Sequence, residues 1–249
     1  MLEIMFLLLL AAVISVVLWY RSFQDFTIVQ FEWSPSLVMP DERIPIVIRK
    51  VPTEFSSMWN STLAKQSSLP ILLADNRRSV LKEFAEAPVV QIHPLNQIEL
   101  ASKFHVHDRF KDTMTWLTKF WYLPIHSITT PARLATIPLK MSGGLQRSLA
   151  ERTVITIHEG TALVWLCRET LPVKEIQMIQ DKNPWALSAK SFPFITELQY
   201  IEVRLRAGNS LVLPPRSLWA LKSEVGVIYY SCVELNSPLS LFISSISKN

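Results

Sequence analysis

The sequence predicts a mainly β chain with α: an apolar N-terminal helix, a mixed α/β lead-in, then an antiparallel β-rich half. Three observations lead there. Ile4 to Tyr20, "IMFLLLLAAVISVVLWY", carries no charge over 17 residues. Helical and strand-like runs mix between about residues 45 and 125. Beyond about residue 130, short apolar strands follow one another with Gly or Pro between them, the pattern of a sandwich or barrel.

At about 1.5 Å per residue, the first run is just long enough for a thin bilayer. It ends on the interfacial pair Trp19-Tyr20, and Ile4, Leu10 and Leu18 lie within its apolar stretch. A cleaved signal peptide needs a basic start and a small-residue exit, and Glu3 and the bulky Trp-Tyr exit offer neither. Residues 1–20 are therefore expected to be a single-pass anchor in a lipid bilayer. Arg21 after the span and Glu3 before it favour a cytoplasmic soluble part. Residues 21–44 connect the anchor to a domain over 45–249.

Within that domain, "RIPIVIRKV" reads as a buried strand and "EFSSMWNSTLAKQ" as an amphipathic helix. Phe55, Trp59 and Leu63 fall at helical spacing there, which counts against Asn60-Ser61-Thr62 as a glycan acceptor. "LPILLA" reads as a strand, "SVLKEFAEA" as a helix opened by Ser79, and "PVVQIH" as a further strand. Phe110, Met114, Leu117 and Trp121 recur on one helical face that Pro124 ends. "RTVITIH" and "TALVWLC" flank Glu159-Gly160, which signals a hairpin turn. In "YIEVRLRAG", apolar Ile201, Val203 and Leu205 alternate with Glu202, Arg204 and Arg206. "SLVLPP", "SLWALKS", "GVIYYSCVEL" and "LSLFISS" continue the strands.

Composition excludes several functions. With 49% hydrophobic residues and 18% charged, the chain is expected to fold around a sizeable core. The net charge of +4 is scattered, and no more than two Lys or Arg are adjacent, as at Arg49-Lys50 and Arg77-Arg78. That counts against a nucleic-acid groove. Five glycines leave no phosphate-cradling loop, and Ser142-Gly143-Gly144 lacks a serine hydrolase's elbow. Cys167 and Cys232 sit in apolar runs as buried thiols, with a single disulfide as the alternative. The tryptophans Trp59, Trp116, Trp121, Trp165, Trp185 and Trp219 read as packing residues.

Three stretches, "RIPIVIRKV", "TVITIHEGTALVWLCRE" and "AGNSLVLPPRSLWAL", carry a resemblance. Together they resemble the cupin-like, Jumonji-C branch of the Fe(II)- and 2-oxoglutarate-dependent oxygenases over roughly residues 45 to 235. The resemblance implies a double-stranded β-helix, or jelly roll. It also implies a facial triad of His, a carboxylate two residues on, and a distant second His. The distant slot falls at Trp219, whose indole offers a metal no lone pair. The first His is expected about a dozen residues before Gly160, where "GGLQRSLAERT" has no His and Glu151 as its only carboxylate. The expectation is thus a scaffold degenerate at its metal site, with no cofactor, serving as a structural or protein-interaction module such as a virion or organelle membrane component.

Two alternatives stay open. His105, His107 and Asp108 in "FHVHDRF" form a rearranged site for Fe(II) with 2-oxoglutarate, or Asp108 simply caps the following helix. Trp165, Trp219 and Tyr229 line a small-molecule pocket in the barrel mouth. His158, beside the turn signal, is expected in solvent, and His93 and His126 stand alone.

Overall fold

A computed structural model of the chain describes residues 6, 9–15, 26–35, 44–114 and 132–241, and the strand backbone alone of 119–120, 123–126 and 128–129. The described residues form a mainly β fold, a sandwich of two half-sheets with most of its helices in the first half. Two long strands run through both of its layers. β10 (Arg152–Arg168) and β13 (Ser217–Asn236) lie antiparallel along almost their whole length. The first part of β10 pairs with β12 (Asn209–Leu213), and its second part with β11 (Tyr200–Arg206). One half-sheet therefore contains β12, the start of β10 and the end of β13. It is extended on one side by β2 (Ile46–Arg49) and, parallel to that strand, by β1 (Val29–Glu32), and on the other by β8 (Arg133–Ile137). The other half-sheet contains β11, the end of β10, the start of β13 and β9 (Gln146–Ser148).

The two half-sheets join along a line of bends. In β10 and β13 the register shifts between Ile157 and Ala162, and Gly160 adopts φ 87° there. A Cβ on Gly160 would stand 2.5 Å from the Val227 carbonyl oxygen, so only glycine lets the strands approach at this corner. The expected hairpin at Glu159-Gly160 is thus a bend in one strand. Its two halves do not pair with each other because each has β13 on one side and β11 or β12 on the other. Ala207 and Gly208 form a turn between β11 and β12, which each pair with β10; Ala207 N–H donates to the Gly160 carbonyl and Gly208 N–H to that of Ile157. "SLWALKS" and "GVIYYSCVEL" are one strand. Residues 238–241 form a helical turn where "LSLFISS" was expected to be a strand, and 242–249 lie outside the described residues.

Side-chain alternation in these strands produces three apolar layers. Ile155, Ile157, Ala162, Val164, Leu166, Val203, Leu211, Trp219 and Ile228 fill the interior between the half-sheets. Val154, Val212, Tyr229, Val233 and Leu235 face the lead-in helices with Phe55, Trp59, Phe84 and Phe110. Trp165, Cys167, Leu218 and Ala220 face outward under helix Val173–Ile179 and the segment that follows it. The two thiols thus belong to different layers and are free.

The lead-in differs from its sequence pattern in detail. The helix expected across "EFSSMWNSTLAKQ" is two, Thr53–Ser56 and Ser61–Gln66. Asn60 breaks it with extended backbone and caps the second piece by accepting from Leu63 N–H. Ser79 lies in the short strand β4 (Arg78–Val80), which pairs with β3 (Pro70–Leu72), and the helix after it covers Leu81–Glu86. "PVVQIH" contributes one bridge, Ile92 to Leu73, rather than a strand. Helix Pro94–Lys103 was not expected; the signal was Pro94 in its first turn, where a missing N–H costs nothing, with the His93 ring capping it. The face through Phe110 and Met114 is helical only over Val106–Thr113, and Lys119–Phe120 is strand β5, followed by β6 (Leu123–His126) and β7 (Ile128–Thr129). The side chains of Leu117, Trp116 and Trp121 lie outside the described residues.

Among the described residues no helix is long and apolar enough to cross a membrane. Residues 6 and 9–15 are helical, and Leu10 is exposed there. Ile4, Leu18, Trp19 and Tyr20 lie outside the described residues.

Candidate functional site

The sandwich interior is where the resemblance places a metal, and its walls are defined by ladder register. Trp219 lies opposite Leu166 on one side and Gln146 on the other. Directly opposed residues share a face, so Gln146 stands on the interior face with Trp219. Two residues on, Ser148 opposes Ser217, and its hydroxyl lies 2.5 Å from that of Thr153. Trp219 is 2% exposed and packs among aliphatic residues of both half-sheets. The residues present do not fit Fe(II): an indole, a primary amide and an engaged hydroxyl stand where the resemblance implies two imidazoles and a carboxylate.

Polar chemistry gathers at the end of the interior away from the bends. Arg133 Nη2 donates to Glu234 Oε1 at 3.0 Å and lies 4.0 Å from Cys232 Sγ. Burial pushes the Cys232 thiol up to about 11, although Arg133 opposes the shift. Burial raises Cys167 to about 12. Both thiols are therefore protonated at neutral pH and poor nucleophiles. On the adjoining edge, Arg147 holds the buried carboxylate of Glu169 through two bonds of 2.5 and 2.6 Å, tying β9 to the end of β10.

The helix-facing side of the first half-sheet carries a buried polar row that the sequence did not reveal. Ser210, Thr156 and Ser231 stand opposite one another on β12, β10 and β13, with Thr156 and Ser210 hydroxyls 2.6 Å apart. His158, expected in solvent, is buried at the end of this row. Its Nδ1 lies 2.9 Å from the Ser56 carbonyl oxygen and its Nε2 2.8 Å from Ser231 Oγ. A carbonyl only accepts, so Nδ1 carries the proton and Nε2 accepts from the Ser231 hydroxyl. Burial lowers the imidazole to about 4. A Ser–His pair so enclosed, with so weak a base, is suited to joining elements and not to nucleophilic attack. Beside it, Glu159 accepts from Ser61 N–H at 2.6 Å and Ser61 Oγ–H at 2.8 Å, fixing the N-terminus of helix Ser61–Gln66 over the bend.

The other predicted residues are dispersed. His105 has left-handed backbone at the N-terminus of helix Val106–Thr113, and its Nδ1 is 3.5 Å from exposed Asp108. Asp108 lies in the first turn of that helix and is not its cap. His107 turns away and accepts from Ala132 N–H at 3.0 Å. Among the described residues no group of three or more His, Cys, Asp or Glu is placed to hold a metal ion. Trp165, Trp219 and Tyr229 fall in the outer, interior and helix-facing layers respectively, so they do not line one pocket. Trp165 instead stacks on Tyr200, and Tyr229 packs edge-on against Trp59.

No protein-family model matches the chain. No curated protein matches it either. Among solved structures it is similar to the cupin domain of Drosophila melanogaster CENP-C, at 7% identity and a TM-score of 0.28, over 41% of this chain and 57% of that one. A crystal structure from the same protein gives 0.29 over 41% and 56%, again at 7% identity. The Drosophila domain bound to CAL1 gives 7% identity and 0.28 over 41% and 58%. The match thus spans a little over half the length of those chains. The architecture given above rests on strand order and register alone.

Proposed function

We propose that this chain is a non-catalytic interaction module, built on a degenerate double-stranded β-helix of the Jumonji-C type and tethered to a membrane by residues 1–20, with a protein as its partner. Trp219 carries the reading. Its ring, among aliphatic side chains, occupies the space where relatives of that type would place a metal ligand, beside Gln146 and Ser148. The uncharged run Ile4 to Tyr20 supports the tether. The mild, scattered charge favours a protein partner over nucleic acid. The chemistry for an oxygenase would have to come from His105, His107 and Asp108, and His107 points away from the other two.

The test is metal analysis of the purified full chain alongside a 2-oxoglutarate decarboxylation assay. The expected result is no stoichiometric iron and no turnover. Tightly bound iron lost on replacing His105, His107 or Asp108 would overturn the reading in favour of the enzyme.

A further inference from the structure

We infer that β11 is a homodimerisation edge, on which two copies of this chain pair antiparallel about a two-fold axis through Val203. Among the described residues β11 pairs with β10 alone. Alternate residues along its other side therefore present N–H and C=O groups with no ladder partner.

The edge sequence is complementary to itself. Read against its own reverse about Val203, "YIEVRLR" opposes Glu202 to Arg204, Ile201 to Leu205 and Tyr200 to Arg206. Opposite charges meet on the outer face, and apolar residues meet on the inner face. A Tyr–Arg pair closes each end, where a guanidinium can lie over a ring. Both charged partners keep an atom for the contact. Glu224 takes Nε and Nη2 of Arg204, leaving Nη1, and Trp185 Nε1–H takes Oε1 of Glu202, leaving Oε2.

Register is specified as well. A slip of one residue sets the inner face of one copy against the outer face of the other. Moving the axis to Glu202 or Arg204 opposes two like charges. An edge guarded against association carries one sign of charge, which repels every copy. The edge at β1, "VQFE", has no such symmetry, since it would oppose Val29 to Glu32 and Gln30 to Phe31. Pairing through β11 joins four strands from each copy into one sheet of eight, and it is isologous, so it closes at two copies.

The test uses the full chain in density-matched detergent, with dimerisation followed by sedimentation and folding by circular dichroism. The wild type is expected to dimerise reversibly. Glu202→Arg and Arg204→Glu should each weaken the dimer by about tenfold or more, because each sets like charges opposite one another at two positions. An equimolar mixture of the two variants should recover wild-type affinity, because each copy then meets its opposite; this recovery also requires that both chains are folded. A wild type that stays monomeric, a dimer that neither substitution weakens, or a mixture no tighter than either variant alone would overturn the proposal.

Discussion

Single side chains set two measurable properties of this protein. His158 is neutral in the fold because burial holds it near 4, while the unfolded chain takes up the proton near 6.5. Between those values the unfolded state binds more protons, so the contribution of His158 is fully present above about pH 6.5 and is lost as pH falls toward 4. The loss is roughly 3 kcal/mol. His158→Gln keeps a donor and an acceptor but does not titrate. The stability gap between wild type and variant, measured by urea unfolding, should therefore narrow by that amount from pH 7.5 to 4; a gap independent of pH would show that the ring is not buried neutral. Trp219→His is expected to cost about 2 to 4 kcal/mol, since it exchanges a packed indole for a smaller polar ring. It should not create iron binding, because Gln146 and Ser148 remain beside it. Thermal unfolding and metal analysis of that variant check both statements, and an unchanged melting temperature would place Trp219 outside the core.

The elements depend on the line where β10, β13 and the β11–β12 ribbon bend together. Gly160→Ala is expected to cost about 3 kcal/mol, from a strained positive φ and a Cβ pressed on the Val227 carbonyl. Gly208→Ala, at φ 82° with open space around the new Cβ, should cost about 1 to 2 kcal/mol from strain alone. Equal losses in denaturant titrations would mean that the corner is not closely packed. This line also marks the limit of what the sequence discloses. The strand Tyr200–Arg206 was legible residue by residue, because Glu202, Arg204 and Arg206 point outward and Ile201, Val203 and Leu205 inward. The long course of β10 was not, since Glu-Gly between two apolar runs signals a hairpin and a bend equally well. The difference lies in which distant strands flank them. Trp219 is expected inward only through the resemblance, which puts it in a ligand slot, and its neighbour Gln146 emerges only from the ladder between β9 and β13. His158 was illegible for the same reason, as its partners are 102 and 73 residues away.

Taken whole, the tether proposed for residues 1–20 is separate from the packing that holds the sandwich together. The three apolar layers are built from residues of the folded part, and the first of these, Phe26 and Ile28, pack against the interior. Residues 1–20 contribute no side chain to those layers among the described residues. Their apolar side chains at Phe6, Leu9, Leu10, Val13 and Ile14 are instead exposed, an arrangement that a bilayer would stabilise and water would not. Deleting residues 1–20 is therefore expected to leave the sandwich folded, with a melting temperature within a few degrees of the full chain in detergent. The truncated protein should also leave the membrane fraction on alkaline carbonate extraction, whereas the full chain stays with it. Carbonate strips proteins held by charge and spares those held by buried apolar length, so the two chains should separate on that property alone. A truncated chain that still pellets would require a second attachment surface on the sandwich, and a full chain that is extracted would remove the tether from the proposed function.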